Sequence, residues 1–561
     1  MRSPHAAVAS LLLAGSLVLS GCSALSGSDD AAPRPSATAT AAERTGTSWV
    51  KAEPSAVARG GTLRLAAGTL PTNFNPQQAD AANTDAARIL APTVGGAVRI
   101  TADGGWEVDP DYAESVEVTD KDPLTVEVRL NPKAVWQGGT SITADDMIAF
   151  WKAQNGSDDR FEVTSTAGYD DIAAVEQGDD RFSYSVTFKE PTAEWPLYVY
   201  PRLAKNVSQD PKLFNSAFRK KAISSNGPFV VESIDRRKGV ITQVPNPRWW
   251  GAKPRVDKIT WNVADPALQA KAFAADELDA VDLEAATYPT VKGIGSVQRA
   301  PGVEWSQVTL NAGSGPLEDV RVRRAIARAI NRDAIASTTA DALGARPETL
   351  GSLLLVPGQR GYRDSSGSIA YDPDAAAALL AKAGWRKGSG GVLERDGKTL
   401  SLTMPVPRGV PANAQRARAI ARDLRAVGIR VSLRTVPAAR FFDPYVISLD
   451  FDLVTFTRRA SAFPIGATKP VFFPIDSAQN YTGMGPDRLG KGFDTVLGTL
   501  ATGLRTRRIA KLDEWLLEDV PMIPLAVTPL AVAVQDGVVN YGAAQFEQPD
   551  WTRVGFRAKK K

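Results

Sequence analysis

The polar and apolar positions alternate or recur with clear periods over much of the chain. Gly60-Gly61-Thr62-Leu63-Arg64-Leu65-Ala66 reads as a turn followed by an alternating strand. Leu124–Leu130 (LTVEVRL) alternates in the same way, as a half-buried strand does. Thr143-Ala144-Asp145-Asp146 predicts a helix start with Thr143 as cap and Asp146 reaching back to it. Met147, Phe150 and Trp151 then supply a core-facing stripe. Just past the middle, Val308-Thr309-Leu310 ends a strand, and Gly313, Gly315 and Pro316 form a turn. Asp319 is the predicted cap of the next helix, with Val322, Ile326 and Ile330 recurring every fourth residue beside Ala325 and Ala329. Arg321, Arg323, Arg324 and Arg328 take the other faces and are expected in solvent. Tyr371-Asp372-Pro373 opens a helix closed by Gly384. Arg416–Val427, Gly428-Ile429 and Arg430–Val436 read as helix, stop and strand, the alternation of an α/β sheet protein. Asp452–Phe456 reads as a buried strand, with the residues after it in a loop.

The amino terminus has a different pattern. Arg2 and His5 precede the apolar run 6–19, which is too short to span a bilayer as a helix. Leu19-Ser20-Gly21-Cys22 follows, and it resembles the bacterial lipobox. Residues 1–21 are therefore expected to be a lipoprotein signal peptide, with Cys22 the lipidated first residue of the mature protein. The stretch 22–59 is dominated by Ser, Ala, Thr, Gly and Pro and is expected to be a disordered tether. A flexible chain of that length spans roughly 30–35 Å, enough to hold a globule off a membrane.

Composition narrows the chemistry. At 561 residues the chain has room for at least two domains. Sixty-six Lys+Arg against 62 Asp+Glu leave a net charge of +4, without the basic excess of a nucleic-acid binder. His5 is the one histidine and Cys22 the one cysteine. Both lie in the targeting segment, so Ser-His-Asp and Cys-His catalysis, zinc sites of the usual kind and disulfides are not expected. No Walker loop, G-x-S-x-G or dinucleotide fingerprint occurs. A hydrolase would need a carboxylate pair across a cleft. The adjacent Asp145 and Asp146 point in different directions on a helix and read as capping residues. No enzyme activity, metal or cofactor is expected.

Several of these stretches together resemble the family 5 extracytoplasmic solute-binding proteins of peptide- and nickel-type ABC transporters. The resemblance is carried by Leu310-Asn311, Pro316-Leu317, Asp319, Arg321–Ile326 and Ala329–Arg332 at the centre. Further matches are Gly60–Leu63 with Leu70–Pro76, Leu124–Trp151, Ser225–Val231 with Asn246–Gly251, Ala270–Leu283, Tyr371–Trp385 and Pro521–Ala526. It runs from about Gly60 to Trp551. It implies a two-lobed α/β fold of the periplasmic-binding-protein type (type II, large peptide-binding class) with an extra subdomain in the first lobe. The implied boundaries are a first lobe at 60–306 with an inserted subdomain at about 96–194, a second lobe at 307–527, and a return to the first lobe at 528–561.

The resemblance also implies a function: capture of an oligopeptide-like solute between the lobes and delivery to ABC permease subunits. The protein would act as a monomer on the outer face of the cytoplasmic membrane. Asn73 and Phe74, in the loop after the first strand, and Asn480-Tyr481 fall where such proteins face the cleft; the alternative for the Asn-rich loop is side chains that close turns on their own backbone. In peptide binders of the family an Asp after the second-lobe strand pairs with the ligand ammonium, with an aromatic residue just before it. Here Arg458 stands at the aromatic position and Ser461 at the Asp position, and no Asp or Glu lies between Asp452 and Asp476. Arg458 and Arg459 are thus candidates for a phosphate or carboxylate. The sequences 247–251 and 549–556 also resemble an actinobacterial, LpqW-like branch tied to cell-envelope glycolipid (lipomannan-type) synthesis. The alternative reading is such an envelope lipoprotein, acting by interaction and not by transport. Trp249 and Trp250 are read as packing residues.

Overall fold

Two hydrophobic clusters divide the chain. One gathers Leu63, Leu65, Val126, Phe150 and Trp261, the other Val308, Val322, Ile326, Leu453 and Ile523. They are the cores of two lobes in a computed structural model that describes residues 46–81, 84–388 and 390–559.

The first lobe is built on a seven-stranded sheet in the order Ser296–Ala300, Leu530–Val534, Ala280–Asp282, Thr62–Ala67, Lys258–Val263, Val240–Pro245, Phe229–Asp235. Thr62–Ala67 runs parallel to Lys258–Val263, with Leu65 opposite Trp261. Leu530–Val534 enters after the whole second lobe and lies antiparallel to strands on both sides. A separate four-stranded antiparallel sheet contains Leu124–Leu130, whose Leu124, Val126, Val128 and Leu130 are all buried while the residues between them are not. The helix Ala144–Gln154 packs on it through Met147 and Phe150. Asp146 accepts from the Thr143 N–H at 2.9 Å, and Asp145 pairs with Lys205, so this carboxylate couple is a helix cap and a surface bridge. Trp249 and Trp250 lie 4.5 Å apart, each against Tyr112. They pack the lobe as expected.

The second lobe has a three-stranded antiparallel sheet, Leu453–Arg459, Glu304–Leu310 and Met522–Val527. Beside it Ser401–Pro407 and Arg430–Val436 pair in parallel, joined by the helix Pro411–Ala426 as the helix–Gly–strand pattern predicts. The central helix runs Val320–Ala329, capped by Asp319, whose carboxylate accepts from the Arg321 N–H at 2.9 Å. Val322, Ile326 and Ile330 are fully buried.

The arginines of that helix do not share one solvent face. Arg323 is only 5% exposed and donates to the carbonyls of Leu317, Glu318 and Asp519. Arg324 donates to Glu518 O at 2.8 Å. Both reach the last carbonyls of the helix Thr502–Asp519, which have no partners within their own helix. A guanidinium satisfies them without needing a carboxylate. The sequence pattern marks the face of a helix but not the neighbour that face meets.

Two crossovers join the lobes, between Ala300 and Glu304 and between Val527 and Leu530. They lie side by side, with the Thr528 N–H donating to Glu304 O at 2.8 Å. A Cβ on Gly302 would sit 1.7 Å from Thr528 O, so the crossing has room only for glycine.

The expected tether is shorter than 22–59. Residues 46–59 are held against the C-terminal segment. Thr47 bridges to Ala544 and Val57 to Arg557, and Asn540 both donates to and accepts from the Ala52 backbone. Low local hydrophobicity suggested disorder there, but pairing with a segment some 490 residues away supplies the hydrogen bonds. The signal peptide, Cys22 and the rest of the tether lie outside the described residues.

Candidate functional site

The pocket grows from the register of two strands. Trp305 lies opposite Arg458, and Gln307 opposite Phe456. Directly opposed residues put their side chains on one face of a sheet. Trp305, Phe456 and Arg458 therefore form a floor, extended by Met522 from the third strand. The segment 353–356 and the helix Ile465–Phe472 supply the walls, and Phe442 stands at the rim. The cavity measures about 350 Å³, and every residue lining it comes from 305–522. A second, more open hollow of about 620 Å³ lies along the helix Ala144–Gln154 in the first lobe. Its aromatic and cationic residues, Trp151, Phe161 and Lys152, share the lining with Asp145 and Asp158, whereas the first is more enclosed and is the better binding site.

Arg458 carries the site's charge. It was expected in a loop after the strand. It belongs instead to the strand's last turn of pleat, within Leu453–Arg459, and so is held rigidly. Its Cζ lies 5.4 Å from the centre of the Phe456 ring. Its Nε is enclosed and has no hydrogen-bond partner among the described residues. Burial pushes the guanidinium down to about 10, so it remains a cation at neutral pH. Arg459 also borders the pocket, is exposed, and pairs with Glu304 at 3.3 Å.

The other expected ligand residues fall elsewhere. Asn73 is buried in the first lobe, donating to Gln78 Oε1 and Asn215 O and accepting from the Asn75 N–H. Phe74 is 0% exposed within the first-lobe core. Neither borders the pocket, because this loop folds inward to close on its own polar atoms. Asn480 is buried as well. It donates to Pro474 O and Met484 O and accepts from Thr482, so its amide is spent on shaping the loop. Tyr481 is half-buried, packs edge-on against Phe456 at 6.4 Å and interacts electrostatically with Arg458. Of the residues expected to meet a ligand, Arg458 and Arg459 line the pocket.

Sequence reading missed Trp305, Phe442, Gln479 and the segment 353–356. The last is positioned by Asp513, whose carboxylate accepts from the Leu353 N–H at 2.8 Å. No local pattern brings these together; strand pairing and helix packing do.

The lobes touch along one side. Arg360 pairs with Asp103 at 2.8 Å, the Ala193 N–H donates to Leu497 O at 2.7 Å, and Glu194 accepts from the N–H groups of Ile465 and Gly466 at 2.7 and 3.0 Å. The last pair ties the first lobe to the helix that walls the pocket.

A two-lobed α/β molecule with a double crossover and a pocket beside it is the architecture of an extracellular solute receptor. Residues 107–467 match the bacterial extracellular solute-binding proteins, family 5 Middle. The chain belongs to that family. Over 552 residues it is 34% identical to the oligopeptide-binding protein OppA of Mycobacterium tuberculosis, covering 96% of this chain and 92% of the relative. The periplasmic EDTA-binding protein EppA superposes with a TM-score of 0.81 at 27% identity, covering 92% of this chain and 99% of that one. LpqW of M. tuberculosis, described as a probable monoacyl phosphatidylinositol tetramannoside-binding protein, is 26% identical over 367 residues, 58% of this chain and 56% of LpqW. The fold is thus the type II solute-binding fold, shared with solved oligopeptide-binding proteins. The family binds solutes and catalyses no reaction. Among the described residues no helix is long and apolar enough to cross a membrane.

Proposed function

We propose that the protein is the lipid-anchored receptor of an ABC importer, capturing an oligopeptide-like solute and delivering it to the permease subunits. The observation that carries this reading is the likeness to an oligopeptide-binding protein over 96% of the chain. The second-lobe pocket supports it, because an aromatic floor with a few placed polar groups suits a side chain or terminus of a short peptide. Capture proceeds by closure about the paired crossovers at Gly302 and Thr528. The solute is held by hydrogen bonds and packing, and the protein works as a monomer. Cys22 follows the apolar run after Ser20 and Gly21 and bears the acyl chains, which hold the protein on the outer face of the cytoplasmic membrane.

The LpqW-like reading ranks second, since that likeness covers 58% of the chain. One experiment separates the two. The full chain is screened by thermal shift against tri- to hexapeptides and against phosphatidylinositol mannosides. Binding to the native state raises the melting temperature, by about 2.7 kcal/mol of stabilisation at a hundredfold excess over Kd. Shifts with peptides are expected; shifts with the glycolipids alone overturn the importer reading. In cells, labelled palmitate should enter the wild type and not Cys22→Ser, and labelling of both removes the anchor assignment.

A further inference from the structure

We propose that the second-lobe pocket recognises its solute through an anionic oxygen group, a carboxylate or phosphate, held by Arg458. This rests on the solute-capture reading and names the chemistry at its centre.

The charge balance of the pocket is the first observation. Among the described residues no Asp or Glu lines it, whereas Arg458 and Arg459 do. Arg459 is neutralised by Glu304 on the neighbouring strand. Arg458 has no such partner among the described residues, and its Nε is enclosed without an acceptor. A half-buried guanidinium with an enclosed Nε and no counter-charge is held at a cost, and a ligand carboxylate recovers it through two parallel N–H···O bonds. The contact with the Phe456 ring steadies the guanidinium while using none of its N–H groups.

The sign of the unmet hydrogen bonding is the second observation. Gln307 lies on the same sheet face, one step diagonal from Arg458, and its Nε2 also lacks a partner. Its Oε1 is satisfied by the Thr309 hydroxyl at 2.8 Å. Both unmet groups on this face are therefore donors; Gln307 is fully buried, Arg458 borders the pocket, and a ligand meeting Arg458 brings acceptors. An ammonium would meet the Arg458 cation with no carboxylate among the described lining residues to balance it.

The test compares short peptides bearing a free C-terminal carboxylate with the same peptides amidated, and adds citrate and inorganic phosphate as peptide-free anions. Binding to the full chain is read by titration calorimetry. The free acids should bind at least about tenfold tighter than the amides. Arg458→Gln should abolish that difference and Arg458→Lys retain part of it. The melting temperature of the unliganded Arg458→Gln protein should equal or exceed the wild type, because a half-buried cation with an enclosed, unpartnered Nε is removed; this separates recognition from a structural role. Equal affinities for acid and amide, unchanged by Arg458→Gln, overturn the inference and leave peptide capture standing. Binding of citrate or phosphate that depends on Arg458, with no peptide bound, upholds the inference and overturns the peptide reading. Silence across the whole panel overturns both.

Discussion

The carboxylate of Glu194, in the first lobe, accepts the backbone N–H of Ile465, in the second, at 2.7 Å. Gly466 N–H joins it at 3.0 Å, so one side chain caps the helix that walls the pocket. Burial raises the pKa of this carboxyl, against the opposing pull of the two N–H donors and of Arg505. A group that binds its proton more tightly when the lobes meet favours closure at low pH. That advantage fades as the pH rises from the ordinary glutamate value, about 4.3, through the raised one. A fluorescence pair across the lobes should therefore report weaker closure towards pH 7 than near pH 5. Glu194→Gln should flatten the profile. Glu194→Ala, which leaves two N–H groups unmet, should disfavour the closed form by about 1–3 kcal/mol. Identical profiles for wild type and Glu194→Gln would refute the assignment.

Asp513 has a comparable role behind the pocket wall. It is 1% exposed, and burial holds its carboxyl up at about 7 although it accepts from the Leu353 N–H. The folded protein binds this proton more tightly than the unfolded chain. Its contribution is complete below pH 4 and is lost as the pH climbs towards 7. Asp513→Asn should be less pH-dependent in denaturant unfolding between pH 4 and 8, by a few kcal/mol over the range. It should also be the more stable protein at pH 8. A wild-type slope retained by the variant would exclude Asp513 as its source.

Gly302 meets Thr528 where the two crossovers touch, and a Cβ there would fall 1.7 Å from the Thr528 carbonyl oxygen. Gly302→Ala must push the crossovers apart. We expect a loss of about 1–3 kcal/mol in stability, with solute affinity lowered as closure is misaligned. Wild-type unfolding and binding curves would mean that the crossing is looser than its geometry states.

Arg323 and Arg324 are adjacent but unequal. Arg323 is buried and satisfies three carbonyls, whereas Arg324 is on the surface with one. Arg323→Ala should cost about 2–4 kcal/mol in urea unfolding, because three acceptors are left in the interior. Arg324→Ala should cost under about 1 kcal/mol. Equal effects would show that the difference in burial does not control their contributions.

The periodic stretches determined the elements. Alternation at Leu124–Leu130 gave a strand with one dry face, and Val322, Ile326 and Ile330 gave a helix with one buried stripe, because side-chain direction follows from local backbone geometry alone. The caps at Asp319 and Thr143 were legible for the same reason: each joins residues within one turn. The order of charged and apolar residues through the central helix also carried the family. What each face meets was decided by tertiary structure. Arg323 looks like a solvent residue until the end of a distant helix is placed over it. Asn73 and Asn480 look like free amides until their loops close on them. The residues 46–59 look disordered until the C-terminus supplies their partners. Arg458 was visible as a charge where an aromatic residue was expected, with Ser461 in place of the acid. Its place on a strand opposite Trp305, without a counter-ion, follows from a pairing between segments far apart in the chain, which no local period encodes.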